Sequence, residues 1–406
     1  MVRVFKFMLL IAMSISGVCQ AQTGQPMVSS KAAGTAHPSP YNLYGAQFPR
    51  IEPDSRVTFQ FRAPDALKVQ VAIANVPYDM VKGADGVWTY TSEPQDLGYH
   101  NYWMIVDGAV VLDPATDGFI GYSHLCNAFE IPDPEGGFYD LKDVPHGNVI
   151  IRNYFSKTTN SWRMIYIYTP PDYEKNTSAR YPVLYLQHGG GEDQRVWIEM
   201  GRTNLILDNL LAEGKCKPFI VVMETSAAYK PGEAPPMARP AAAPAAAPAA
   251  APPRPQAAPG VQAAPAPQRR GFSFDTYAEV MINDMIPFID SNFRTLADQP
   301  SRAMSGLSMG AMCTKAVTLA HLDTFGYIGL FSGGTISPAE ITDKSKVKLV
   351  FMSYGSKERG SESVKAAADA LNEAGIKGAS YVSPLTAHEF QSWRRSIYQF
   401  AQLLFK

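Results

Sequence analysis

The sequence predicts an α/β fold built on a mainly parallel sheet, preceded by a small all-β sandwich. Three observations predict it. Over roughly residues 41–135, short stretches alternate apolar and polar residues with no helical period between them. From about residue 150, continuous apolar runs alternate with segments of helical spacing, the texture of a parallel sheet covered on both faces. Within that region "SRAMSGLSMGAM" sets a Gly-x-Ser-x-Gly between an apolar strand and a helix.

The elements follow in order. "MVRVFKFMLLIAMSISGVCQAQ" carries basic Arg3 and Lys6, an apolar stretch over 7–15 and small residues up to Ala21. This is the layout of a secretory signal peptide over residues 1–21. A lipoprotein reading needs a small residue before Cys19, where Val18 stands. Residues 22–40 are small and polar and read as a flexible tail.

In the sandwich, "RVTFQF" puts Val57, Phe59 and Phe61 on one face, and "KVQVAI" does the same with Val69, Val71 and Ile73. "YHNYWMIVDGAVV" reads as a hairpin turning at Asp107-Gly108. Trp88, Tyr90, Tyr99, Tyr102 and Trp103 either fill the sandwich core by alternation or offer a sugar-stacking platform, and the first use needs no ligand.

A linker over 136–150 leads to the α/β region, 151–406. "RMIYIYTP", "YPVLYLQHGGG", "PFIVVMETS", "SRAMSG" and "KVKLVFMSYG" read as strands. "NLILDNLLAEG", "DTYAEVMINDMIPFIDSNF", "SVKAAADALNEAG" and "SWRRSIYQFAQLLF" read as helices, the second disturbed at Pro287. The Pro/Ala-rich segment 231–270 cannot bury a core and is expected to be a disordered insertion.

Composition excludes several classes. With 36 Lys and Arg against 37 Asp and Glu, net charge is −1, so no bulk field favours nucleic acid or an anionic membrane. No apolar run is long enough to span a bilayer. Beyond the leader only Cys126, Cys216 and Cys313 remain, an odd and sparse set that makes no disulfide framework and reads as small buried hydrophobes. No Cys/His spacing fits zinc, and no metal or organic cofactor is expected.

The Gly-x-Ser-x-Gly asks for an acid and a histidine later in the chain, in that order. Ser308 is the candidate nucleophile. Glu358 follows the strand "KVKLVFMSYG", and His388 lies between "ASYVSP" and the last helix. His321, the other histidine after the serine, falls before the acid strand. Glu362 and Asp343 are the alternative acids. Oxyanion donors are expected from the backbone of Met309 and of the "HGGG" loop, Gly190 with Gly191 as alternative. His188 opens that loop and reads as structural. Trp197 and Trp393, near the oxyanion loop and the base in sequence, are candidates to flank an aromatic acyl group, or simply to pack.

With these residues in place, "TPPDYEKNTSARYPVLYLQHGGGEDQRVW", "ILDNLLAEGKCKPFIVVM", "SGLSMGAM" and "TAHEFQSWRRSIYQFAQLLF" resemble carbohydrate esterase family 1, secreted bacterial feruloyl and acetyl-xylan esterases above all. The preceding region, with "EIPDPEGGFYDLKDVPHGNVI", is similar to the immunoglobulin-like module related to carbohydrate-binding module family 48. The resemblance implies an α/β-hydrolase domain with Ser308, His388 and Glu358 as nucleophile, base and acid, acting on acylated polysaccharide. Glu358 stands where many relatives carry Asp, and Ala311 replaces a common Gly. The rival readings are a catecholate siderophore esterase, a sugar acyltransferase and a catalytically silent glycan-binding protein.

Overall fold

The computed structural model describes residues 35–233 and 273–406. The expected signal peptide, most of the expected tail and most of the Pro/Ala-rich insertion therefore lie outside the described residues.

Among the described residues the chain forms three sheets of five, six and eight strands. The first two face each other across a core that includes Val57, Phe59, Val69, Val71, Tyr102 and Phe129. Val57, Phe59, Val69, Val71 and Ile73 are at most 5% exposed, as the alternation in both strands requires. The hairpin Gly98–Val106 to Ala109–Val111 turns at Asp107 and Gly108, both at positive φ (48° and 88°), the mirror-image turn that matches strand twist. Trp88, Tyr99, Tyr102 and Trp103 are all buried, which leaves them no open face for a sugar ring, whereas Tyr90 is only half-buried and stacks on Tyr78 with ring centroids 5.1 Å apart.

Two boundaries differ from the sequence reading. His37–Pro38 is a short strand paired with Arg50–Ile51, so ordered structure starts inside the expected tail, 22–40. Likewise β1 (Asn148–Ser156) begins inside the expected linker, 136–150. It pairs along its whole length with β2 (Ser161–Thr169), and that continuous ladder is what draws the last linker residues into the sheet.

The large sheet adds β3 (Val183–Gln187), β4 (Ile220–Glu224), β5 (Arg302–Leu307), β6 (Tyr327–Phe331), β7 (Leu349–Gly355) and β8 (Gly378–Ser383). Its order is β1-β2-β4-β3-β5-β6-β7-β8. The two strands β1 and β2 are antiparallel to their neighbours, and the rest run parallel. Every residue of β3, β4, β5 and β6 is buried, and in β3 and β4 this burial shows in the sequence as the apolar runs "VLYL" and "IVVM".

Helices α1 (Thr203–Ala212), α2 (residues 275–292), α3 (Met309–Ala320), α4 (Ser363–Glu373) and α5 (Phe390–Ala401) cover the two faces. Pro287 does not end α2. A π turn at Met281–Met285 lies immediately before it, and the wider turn there makes room for a ring that has no N–H to give to the preceding turn.

Candidate active site

The carboxyl ends of β5, β6 and β7, together with the loops after β3 and β8, converge on Ser308. This residue joins β5 to α3 at φ 53° and ψ −117°, a backbone state that a non-glycine residue adopts only when its surroundings hold it there. Its N–H donates to Phe331 O at the end of β6 (2.8 Å). The flanking glycines are required by close approach. A Cβ on Gly306 would lie 2.5 Å from the Gly310 carbonyl carbon, and one on Gly310 would lie 2.3 Å from His188 O.

His388 Nε2 lies 2.9 Å from Ser308 Oγ, and His388 Nδ1 lies 2.7 Å from Glu358 Oε2. The carboxylate only accepts, so Nδ1 carries the proton and Nε2 is free to accept from the serine hydroxyl. The His388 side chain is half exposed, whereas Glu358 is 8% exposed. Glu358 Oε1 accepts from Gly355 N–H and from Ser332 Oγ, each at 2.7 Å. The alternative acids lie elsewhere. Glu362 only precedes α4, and Asp343 caps a short turn by accepting from Ser345 N–H at 3.0 Å. His321 sits at the far end of α3.

The loop after β3 faces the same serine. Gly189 N–H donates to Glu192 Oε2 (2.7 Å), and Gly191 O accepts from Ser123 N–H (3.0 Å). The Gly190 N–H between them has no partner among the described residues, and a Cβ there would be 3.9 Å from Met309. Met309 opens α3, so its N–H is one of the first-turn donors that a helix leaves unpaired. His188 is buried, with Nδ1 2.7 Å from Gly189 O and Nε2 accepting from Ser226 N–H (3.1 Å). Burial lowers its pKa, and the neutral ring ties this loop to the one after β4.

Two sequence candidates need correction. Trp197 is 0% exposed and donates Nε1–H to Gln187 O (2.8 Å), so it belongs to the core beneath the loop and cannot flank an acyl group. Trp393 is 5% exposed and stands edge-on to His388, with ring centroids 5.0 Å apart and Nε1 on Ser332 Oγ (3.0 Å). Its place is the packing alternative, and at this burial it offers no open face to an acyl group. Ser332 was missed. Its only sequence signal is its place in "FSGG", just after an apolar run.

The N-terminal β unit reaches the loops after β3 and β7 and helix α5. Ser123 bonds the Gly191 loop, Asp96 pairs with Lys357 beside Glu358 (2.6 Å), and Glu130 and Asp133 pair with Arg394 and Arg395 on α5 (2.7 and 3.0 Å). Among the described residues no cluster of His, Cys, Asp and Glu is arranged to hold a metal ion, and no helix is long and apolar enough to cross a membrane. Cys126 and Cys313 are buried and unbridged, and Cys216 is unbridged.

Comparison with known proteins agrees with this architecture. The chain is 38% identical over 379 residues to an endo-1,4-beta-xylanase/feruloyl esterase of Xylanibacter ruminicola, covering 91% of this chain and 47% of that protein. It is 22% identical over 204 residues to endo-1,4-beta-xylanase Y of Acetivibrio thermocellus, covering 48% of this chain and 15% of that one. The chain thus spans less than half the length of either curated relative. Among solved structures, the enterochelin esterase of Shigella flexneri superposes with a TM-score of 0.60 at 15% identity, covering 86% of this chain and 91% of that one. A CE1 ferulic acid esterase of Anaeromyces mucronatus in complex with ferulic acid gives 0.50 at 21% identity, covering 67% and 96%. At such identities these two likenesses establish the shared fold. Residues 156–250 and 237–396 match the family described as Putative esterase, and with more than half of the sequence inside that match the chain belongs to this family.

Proposed function

We propose that the chain is an exported serine carboxylesterase that removes feruloyl or acetyl groups from xylan-type polysaccharide. One observation carries the reading: an unbroken hydrogen-bonded path from Glu358 through His388 to Ser308, at 2.7 and 2.9 Å. In this mechanism His388 Nε2 takes the Ser308 proton as Oγ attacks the ester carbonyl. Glu358 keeps the imidazole in the Nδ1–H tautomer and offsets the charge of the imidazolium. The Gly190 and Met309 N–H groups receive the developing oxyanion, and each such donor contributes on the order of 3 kcal/mol in the transition state. His388 then protonates the sugar alcohol as it leaves, and a water activated by the same nitrogen hydrolyses the acyl-enzyme.

The substrate class is supported by the name of the 38% identical relative, a xylanase/feruloyl esterase. We further read the N-terminal β unit as an immunoglobulin-like module of the kind related to carbohydrate-binding module family 48. Residues 1–21 are read as the leader that exports the protein.

The test uses feruloylated, acetylated arabinoxylan, with ferulate and acetate quantified in one supernatant and Ser308→Ala as control. Release of either acid by the wild type, reduced at least 10³-fold in the variant, is the expected result. Ferulate in excess identifies a feruloyl esterase, and acetate alone an acetyl-xylan esterase. Turnover of a simple aryl ester without release of either acid would refute the xylan reading.

A further inference from the structure

Four side chains close a circuit beside Ser308. His388 Nδ1 meets Glu358 Oε2, Ser332 Oγ meets Glu358 Oε1, Trp393 Nε1 meets Ser332 Oγ, and the Trp393 ring stands edge-on to His388. The chemistry of the groups fixes the direction of each bond. An indole N–H can only donate and an ionised carboxylate can only accept, so the single Ser332 hydroxyl proton points to Glu358 while its lone pair receives Trp393. With Gly355 N–H also on Oε1, that oxygen holds two donors and Oε2 is left to the imidazole.

Ser332 itself is held in place. It follows β6 directly at φ 53°, a left-handed state unfavourable for serine, and its N–H donates to Ser353 O at 2.8 Å. The preceding residue, Phe331, accepts the Ser308 N–H. One strand end therefore fixes both the nucleophile and the acid. Ser332 and Trp393 are 7% and 5% exposed, too buried to serve as substrate contacts.

We propose that Ser332 and Trp393 are positioning residues: acting through Glu358 and against the imidazole ring, they fix the tautomer and plane of His388 so that Nε2 faces Ser308 Oγ. The proposal rests on Ser308 and His388 acting as nucleophile and base.

The experiment combines steady-state kinetics on an aryl ester with proton NMR of the low-field His388 Nδ1–H. Ser332→Ala is expected to lower kcat about tenfold with KM unchanged, the size of one lost hydrogen bond to a charged group. The low-field resonance should shift or broaden. Trp393→Phe keeps the ring and removes the indole donor, and it should move both readouts the same way by a smaller factor, about threefold in kcat. In a Glu358→Gln background, adding Ser332→Ala should cost nothing further, because Ser332 acts through that carboxylate. An unchanged kcat and resonance in Ser332→Ala, or an equal loss in the Glu358→Gln background, would overturn the proposal. If Ser332→Ala fails to fold by circular dichroism, Trp393→Phe carries the same test. A wild type that turns over no ester refutes the function reading alone, and the NMR comparison then decides the positioning.

Discussion

Glu192 sits under the Gly190 loop with Oε2 on Gly189 N–H, and desolvation pushes its pKa up to about 8 from an ordinary 4.5. Across that interval the folded protein keeps a proton that the unfolded chain releases. The stability that Glu192 contributes therefore falls as pH rises from about 4.5 and levels off above about 8. Glu192→Gln keeps an acceptor for Gly189 and removes the titration. Urea midpoints of both proteins at pH 5 and pH 8 should show the wild type losing ground to the variant, and parallel curves would exclude this role. At this scale the sequence was informative where chemistry imposes order. Ser308, then Glu358, then His388 were legible because a nucleophile on an elbow needs an acid and a base from later strands. Ser332 was not, and the choice between the two roles of Trp393 stayed open, since both depend on how the end of β6 and α5 meet in space. Trp197 shows the converse: nearness in sequence to the oxyanion loop says nothing about which side of β3 a ring occupies.

The elbow formed by β5, Ser308 and α3 works because α3 starts against the loop after β3. With a Cβ on Gly310 only 2.3 Å from His188 O, Gly310→Ala must push α3 and that loop apart. The Met309 and Gly190 donors then move relative to each other. A displacement of about 1 Å at such a site costs about 10²-fold in rate. Gly310→Ala is expected to show that loss in kcat on an aryl ester, with a circular dichroism spectrum matching the wild type. Most elements were legible because burial on both faces leaves continuous apolar runs, as in β3 and β4. Two signals were too weak. The five-residue run of β6, "YIGLF", is short and broken by a glycine, although it carries the contacts that fix Ser308 and precedes Ser332. Half of β1 is exposed edge strand, so its alternation is faint and its start reads as linker in the sequence.

Over the whole molecule the β unit and the α/β sheet share one core. Tyr99, Trp103 and Phe119 from the former cluster with Leu184, Trp197 and Phe390 from the latter. Tyr139, in the segment that separates the two on paper, is buried with the Arg394 guanidinium 4.5 Å above its ring. At the centre Glu130 accepts from Arg394 (2.7 Å) and Arg202 (3.0 Å), with Tyr41 OH donating at 2.7 Å. Arg394 is 0% exposed, and its two guanidinium neighbours in this network are carboxylate and carbonyl oxygens, Glu130 Oε1 and Met200 O. Removing the carboxylate strands a charge in the interior, which costs about 3–5 kcal/mol for a buried pair broken on one side. Arg394 follows Trp393 on α5, so the same loss loosens the support of His388. Glu130→Ala is thus expected to lower the melting temperature and kcat together. Calorimetry of the wild type should show a single transition, because a continuous core unfolds as one unit. Two separate transitions, or a Glu130→Ala variant that melts like the wild type, would mean that the β unit is an independent domain and that its contacts with α5 contribute nothing to the site.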